Sequence, residues 1–563
     1  MIKDWQYELI EDRKLLPLFR PVKLKILVLV DSSISFTSSF GIGMTIDTLR
    51  APVNSYVRFD VTLARRDGAQ ATNSSPGDKE PTYTGFRFDQ VDTDGVTPTL
   101  HKYHQVWCFG FSPGNDGSSN DANITNPIHN PTSDSELEVL TRWMNEQQGG
   151  VFATGDHHYL GASMCHRIPR VATMRKWTNA QGVPPISGPD RHDTNRPSTP
   201  GQSNIGGSPD VIPFNNQGDS VPQIVDWKKY YSWSWARFTR NFAPHPILCD
   251  GNRGVIDILP DHPHEGHIIE DADVVKTGTF NFDGYTGDEY PTVGAIRPLP
   301  EVIAWATTLP DPPYNQQKGD SPQKRFGVVG VYDGQKIDIG RVVVDSTWHH
   351  WFDVNLVGFE ADATSNNYQR IQTFYRNIGV WLATASQRTR MLSVLNWFSM
   401  FTVQGIQEYG REISIWSLGA TAKDVLGRSS SKCLVREWII DLFPIEFYRE
   451  FFIPERIPVP PEPCLSCPPF ELIEEAMLGS IIKELLPQFE KMEQQRVSSP
   501  GKKLKLNEKE IMMCIDRGVQ LGYKELRSFL SKSNKQGERL NKLLEKFKPN
   551  ANCSKHHKET ELA

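Results

Sequence analysis

The chain has 563 residues, too many for a single hydrophobic core; its length alone points to roughly three to four domain-sized units. Its 61 Lys and Arg against 67 Asp and Glu leave a formal charge of −6, which excludes the basic excess of a chain-wide nucleic-acid footprint. The most hydrophobic region, Met391–Val403, is interrupted by Asn396 and Ser399 and is too short to span a bilayer, so no membrane span is expected.

The 42 Gly and 40 Pro point to long irregular connections. Eight cysteines (108, 165, 249, 433, 464, 467, 514, 553) are widely dispersed, and the opening MIKDWQYELIEDRK lacks the apolar core of a signal peptide. Together they predict free thiols in a reducing, cytoplasmic setting.

Lys23–Val30 (KLKILVLV) is a continuous apolar run ending at Asp31, the first strand-to-loop exit. Gly41–Leu49 begins a helix with Ile42, Ile46 and Leu49 on one face, and Val57–Ala64 alternates as a half-exposed strand. His104–Gly110 (HQVWCFG) is a third strand. Ser133 with Glu136 three residues on forms a capping box, opening a helix that turns Leu137, Leu140, Trp143 and Met144 inward and ends near Gly149. Gly149-Gly150 reads as turn chemistry, Val151–Thr154 as a short buried strand and Gly155 as an abrupt exit into Asp156, His157 and His158. This βαβ series predicts a parallel sheet covered by helices.

Residues 170–325 break that rhythm as a long irregular insertion, with an aromatic cluster at Trp227–Phe238 that suits a packed interface better than base or sugar stacking. Within it, Asp261–His267 (DHPHEGH) gathers His262, His264, Glu265 and His267 on a loop that lines or covers a crevice, supported by a strand at Gly254–Leu259. Strands resume at Arg325–Val331 and Gly340–Asp345, and Asn366–Ala383 has helical spacing. Residues 386–452 form a helical extension, with apolar helices at Met391–Tyr409 and Lys432–Phe443. A proline-rich linker (453–470) then leads to a helical C-terminal region (471–563), in which Glu471–Glu493 reads as an amphipathic helix or a helix pair interrupted at Pro487. Residues 501–563 carry 15 Lys and Arg against 8 Asp and Glu, a solvated helical face and tail first, with contact to an acidic partner as the alternative. Cys464 and Cys467 have zinc-knuckle spacing without a second ligand pair, and neither a phosphate-binding glycine loop nor a GxSxG elbow occurs.

Gly149–Gly161 (GGVFATGDHHYLG) after a strand, His245–Leu248 (HPIL) and the late Gly340–His350 (GRVVVDSTWHH) together resemble the ThuA-like branch of the class I glutamine amidotransferase-like superfamily over residues ~20–385. The resemblance implies a flavodoxin-like doubly wound parallel sheet with its site beyond the carboxyl ends of the strands. It also suggests a small polar substrate such as a sugar derivative or an amide. A glutaminase needs an exposed, activated cysteine at the turn after the strand; this turn reads Gly155-Asp156-His157-His158, so glutaminase chemistry is rejected. Cys165 lies too far along to occupy that turn, and Cys108 lies inside a strand.

What remains is a histidine/carboxylate site. The candidate catalytic residues are Asp156, His157, His158, His349 and His350, with Asp31, Asp345, His262 and His264 lining the pocket. Asp156, His158 and His350 are candidate ligands for a divalent metal such as zinc. Adjacent histidines on an extended chain face opposite ways, so one of each pair serves as wall or packing. The two chemistries open to this set are metal-assisted hydrolysis and metal-free general acid/base catalysis by a carboxylate-oriented histidine. The alternative is a non-catalytic scaffold that binds a ligand or protein. The expected partner is a small molecule, without a strong nucleic-acid signal, and the C-terminal helices suit self-association or a protein partner.

Overall fold

The structure is a computed structural model of the 563-residue chain. It describes residues 21–30, 34–37, 41–52, 56–66, 79–110, 132–155, 165, 167–176, 218, 220–234, 239–260, 267–307, 325–402, 406, 410–443, 470–498 and 508–544. At its centre lie strands β1 (Val22–Val30), β2 (Val57–Arg65), β3 (Gln105–Gly110) and β4 (Gly150–Gly155), with helices α1 (Gly43–Arg50) and α2 (Asp134–Glu146) between them. Strands β5 (Arg175–Lys176), β6 (Asp226–Trp227), β7 (His267–Ile268), β8 (Glu301–Thr307), β9 (Arg325–Tyr332) and β10 (Val342–Asp345) complete a ten-stranded sheet. The order β2-β1-β3-β4-β10 is parallel throughout. Beyond β10 every pairing is antiparallel, through β9 to β7 and β5, with β8 also on β9 and β6 on β8. The sheet is therefore mixed rather than all parallel. The strand expected at 325–331 runs back against β10 because only Asp333–Arg341 separates them, too short for a crossover helix.

Burial explains the strand compositions. In β1, Lys23 and Lys25 are exposed while Ile26 to Val30 are buried on both faces, as a central parallel strand requires. Ile26, Val28, Trp107, Phe109, Phe152 and Val343 pack on one face; Leu27, Leu29, Val106, Cys108, Val151 and Val344 pack on the other. The first face is covered by α1 and by α4 (Asn367–Trp381), which follows α3 (Asp353–Ala361). Helix α2 starts with the expected capping box: Ser133 Oγ accepts from the Glu136 amide at 3.2 Å, and Glu136 accepts from the Ser133 amide at 3.0 Å. The same Glu136 takes both Arg66 Nη atoms, at 2.8 and 2.9 Å, in a buried bidentate pair.

The glycines before β4 have a different purpose from the one expected. The left-handed residue of that turn is Gln148 (φ 56°). Gly149 and Gly150 instead permit close approach: a Cβ on Gly149 would lie 2.3 Å from the Trp143 ring, and one on Gly150 would lie 2.7 Å from the Leu382 carbonyl. The expected strand Gly254–Leu259 is two short strands, Gly254–Val255 and Ile258–Leu259, with different partners. The aromatic cluster falls partly on a hairpin, Tyr230–Ser234 with Thr239–Ala243.

Helices α5 (Ala385–Thr402), α6 (Ile415–Ser429), α7 (Lys432–Ile440), α8 (Phe470–Ser498) and α9 (Glu508–Leu544) form the C-terminal region. Pro487 lies inside α8, so of the two expectations the stretch is one helix rather than a pair. The apolar cluster on the first sheet face runs without a break into these helices, through Leu392, Leu426, Trp438, Ile481 and Ile515. Buried ion pairs reinforce the junction: Arg341 bridges Asp333 (2.7 Å) and Glu437 (2.5 Å), and Arg388 holds Asp441 at 2.7 Å. The expectation of dispersed free thiols is corrected, since Cys249 and Cys433 form a disulfide across the same junction. Their distance of 184 residues in sequence hid a proximity that only the tertiary fold creates. Among the described residues Cys108 and Cys514 are free and buried, and Cys165 is buried. The 453–470 linker lies outside the described residues apart from Phe470, which starts α8. Among the described residues no helix is long and apolar enough to cross a membrane.

Candidate functional site

The parallel strands deliver three chain ends to one edge of the sheet. Gly110 of β3 pairs with Gly155 of β4, and β10 runs beside β4 to end at Asp345. Two cross-links fix these ends. Thr154 Oγ1 donates to the Thr347 carbonyl at 2.8 Å. The fully buried Arg175 donates to the Ser346 carbonyl through Nε (3.1 Å) and to the Gly155 carbonyl through Nη2 (3.4 Å).

Past Asp345 the chain makes a single turn of 3-10 helix, Trp348–His350, capped by Thr347, whose Oγ1 accepts from the His349 amide at 3.2 Å. The tight turn aims the adjacent histidines at different partners. His350 Nδ1 lies 2.7 and 2.9 Å from the two carboxylate oxygens of Asp345, and Asp345 also accepts from the Thr347 amide at 3.0 Å. Neither side chain of this pair has any solvent exposure. His349 stacks on Trp348 with ring centroids 3.8 Å apart, and its Nδ1 lies 3.2 Å from Asn355 Oδ1. Of this pair, His350 is the one joined to a carboxylate, while His349 packs on Trp348 beside Asn355.

A carboxylate can only accept from His350 Nδ1, so the neutral ring carries its proton there and leaves a lone pair on Nε2. Among the described residues that Nε2 is buried without a hydrogen-bond partner, as is the neighbouring Ser346 Oγ. A buried nitrogen without a partner is costly, and each such group calls for an explanation such as a catalytic role, a water or an ion.

The turn is held from below. Tyr375 of α4 donates its hydroxyl to the His350 carbonyl, and Thr45 Oγ1 donates to the Trp351 carbonyl at 2.8 Å. Trp351 packs on Phe152 (4.5 Å) and Tyr375 (4.4 Å), anchoring the turn in the core. Asp353 then closes the connection to α1, accepting from the Gly43 and Met44 amides at 3.1 and 2.9 Å. Burial pushes its carboxyl up to about 7, against the opposing effect of those two amides.

Of the candidates read from sequence, the structure brings Asp345 and His350 into direct contact and places His349 beside them. Asp31, Asp156, His157, His158, His262 and His264 lie outside the described residues. Asp156 follows directly on Gly155, whose carbonyl Arg175 holds. His267, the last histidine of the DHPHEGH stretch, pairs with Lys176 next to Arg175. His245 of HPIL packs on Trp381 (5.1 Å), and burial lowers its pKa; Trp381 also receives Arg341 from the start of β10, the opposite end from Asp345. No local pattern points to these contacts of Arg175, Asp353 and Tyr375, since each acts on a segment at least 20 residues away, whereas Asn355 lies only six residues from His349. Among the described residues no three His, Cys, Asp or Glu side chains converge as a metal site. Comparison with models of known protein families, with curated proteins and with solved structures finds no match.

Proposed function

We propose that the chain is a hydrolase of a small polar substrate, with the Asp345–His350 pair at the centre of its site. The observation that carries this reading is the buried His350 ring, fixed through Nδ1 by a carboxylate, with an Nε2 that has no partner among the described residues. A histidine that ligates a metal typically donates its other ring nitrogen to a carboxylate, and a histidine general base is oriented in the same way. The parallel order β2-β1-β3-β4-β10 matches that of flavodoxin-like folds, which place ligands at this strand edge, and so supports the resemblance to the ThuA-like, amidotransferase-like superfamily.

In this reading Asp156 and His158, on the segment continuing β4, complete a ligand set with His350 for a divalent ion such as zinc. A bound ion of this kind polarises the substrate and lowers the pKa of a bound water. Asp345 holds the His350 ring in its Nδ1–H tautomer, Arg175 and Thr154 fix the strand ends, and His349 forms a wall. Cys108 and Cys165 are both buried, in keeping with the rejection of a glutaminase.

The complete burial of His349 and His350 favours a second reading, a non-catalytic scaffold of the same fold. Elemental analysis of tag-free protein purified without chelator separates the two. A near-stoichiometric metal, lost in both His350→Ala and His158→Ala, supports the metal-assisted hydrolase. No metal in the wild type refutes that mechanism. A hydrolase screen over amides and sugar derivatives, with loss of turnover in His350→Ala, then decides between metal-free catalysis and the scaffold.

A further inference from the structure

The Cys249–Cys433 bond joins the short strand Cys249–Asp250, on the sheet side, to α7 in the helical region. The two sulfurs sit in unlike surroundings. Cys249 is buried, and its carbonyl accepts from Asn377 Nδ2 of α4 at 2.7 Å. Cys433 is partly exposed and is the second residue of α7, just after the Ser431 cap whose Oγ accepts from the Leu434 amide at 3.1 Å. Free amides of a helix's first turn stabilise a thiolate, and a disulfide whose reduced form is stabilised in this way is easily reduced.

The contact it closes is tight. A Cβ on Gly251 would come within 2.4 Å of the carbonyls of both Gly427 and Ser430, at the corner between α6 and α7. Ser430 Oγ donates to Tyr56 Oη at 3.3 Å, and Trp438 packs on Tyr56 at 5.3 Å. Further along α7, Glu437 is held by Arg341, and Asp441 just beyond the helix is held by Arg388. The helix is thus tied covalently at its start and ionically at its end.

We propose that Cys249–Cys433 is a redox-operated clamp: a dithiol reductant opens it and frees the α6–α7 corner from the 249–256 segment, while the ion pairs keep the end of α7 in place. The reductant's thiolate attacks the sulfur of Cys433, the more exposed of the two residues, the S–S bond breaks, and Cys249 leaves as a thiolate that takes up a proton. The reductant's second thiol then attacks the mixed disulfide and releases the Cys433 thiolate. The net two-electron exchange yields two protein thiols and the reductant's own disulfide. The proposal stands apart from the hydrolase reading, since it uses no residue of that site.

The test uses the full-length protein. Peptide mapping after alkylation, without reduction, should recover the Cys249–Cys433 cross-linked peptide; its absence overturns the proposal. Hydrogen exchange should then be compared with and without dithiothreitol. Opening should speed exchange at least about tenfold in 249–256 and 427–434 while leaving β3 and β4 unchanged. Equal exchange in both states overturns the clamp, and loss of protection throughout overturns it in favour of a purely structural bond. A Cys249→Ser/Cys433→Ser double variant should show the fast pattern with or without reductant; retained slow exchange in that variant refutes the clamp.

Discussion

Replacing Asp353 with asparagine should remove a specific pH dependence from the stability of the sheet domain. The carboxyl is 7% exposed and joins the turn that carries His350 to the first amides of α1. Burial raises its pKa from 3.8 to about 7, with Asp47 adding to the rise and Lys79 opposing it. Between those values the folded protein holds a proton that the unfolded chain has released. Stability is therefore greatest below the unfolded pKa and is lost as pH rises through about 7. A displacement of that size corresponds to about 4 kcal/mol between pH 4 and pH 8, on the order of 10 °C in melting temperature. Asparagine cannot titrate; it keeps one amide acceptor and gives up the other, a pH-independent cost of about 1 kcal/mol. Melting curves of wild type and Asp353→Asn across pH 4 to 8 isolate the effect as a difference, because every other titrating group is common to both. The wild type should lose stability relative to the variant as pH rises. Parallel curves, or a difference of the opposite sign, would refute the assignment of a buried, proton-holding carboxyl.

Three further outcomes follow from the same contacts. Asp345→Ala should cost about 1–3 kcal/mol by leaving His350 Nδ1 without its acceptor, and nitrogen NMR of the imidazole should show loss of the single Nδ1–H tautomer; an unchanged spectrum would sink the pairing. Arg341→Met leaves Asp333 and Glu437 buried without their shared cation. It should destabilise the protein by about 3–5 kcal/mol at pH 7 and less at pH 4, where both carboxyls can take up protons, as denaturant titration at the two pH values would reveal. Gly340→Ala places a Cβ 2.0 Å from the Gly149 carbonyl, so it should cost at least about 1–3 kcal/mol in thermal melts, whereas Gly95→Ala, with nothing within 4 Å, should show only the strain of its positive φ.

Features closed within a few residues were legible in the sequence. The apolar run of β1, the Ser133–Glu136 capping box and the helical spacing of Ile371, Tyr375 and Ile378 each depend on local periodicity or on hydrogen bonds spanning one turn, and each is present. The divergence of His349 and His350 was expected of an extended chain; they do take different partners, but on a 3-10 turn, and which one meets the carboxylate depends on where Asp345 and Asn355 lie around that turn.

Everything that joins distant segments was settled by the tertiary structure. Asp345, expected to line the pocket, is the direct partner of His350 because β10 ends where the turn folds back. Arg175 reaches Gly155 and Ser346 only because β5, β4 and β10 belong to one sheet. The Cys249–Cys433 bond and the Asp353 link to α1 connect residues 184 and about 310 positions apart. The physical reason is the range of the interactions. Propensity, capping and periodicity act over a turn of helix or a few residues of strand, and the chain records them locally. Long-range pairings form only when packing of the whole core overcomes the entropy of closing large loops, so no local pattern of residues encodes them.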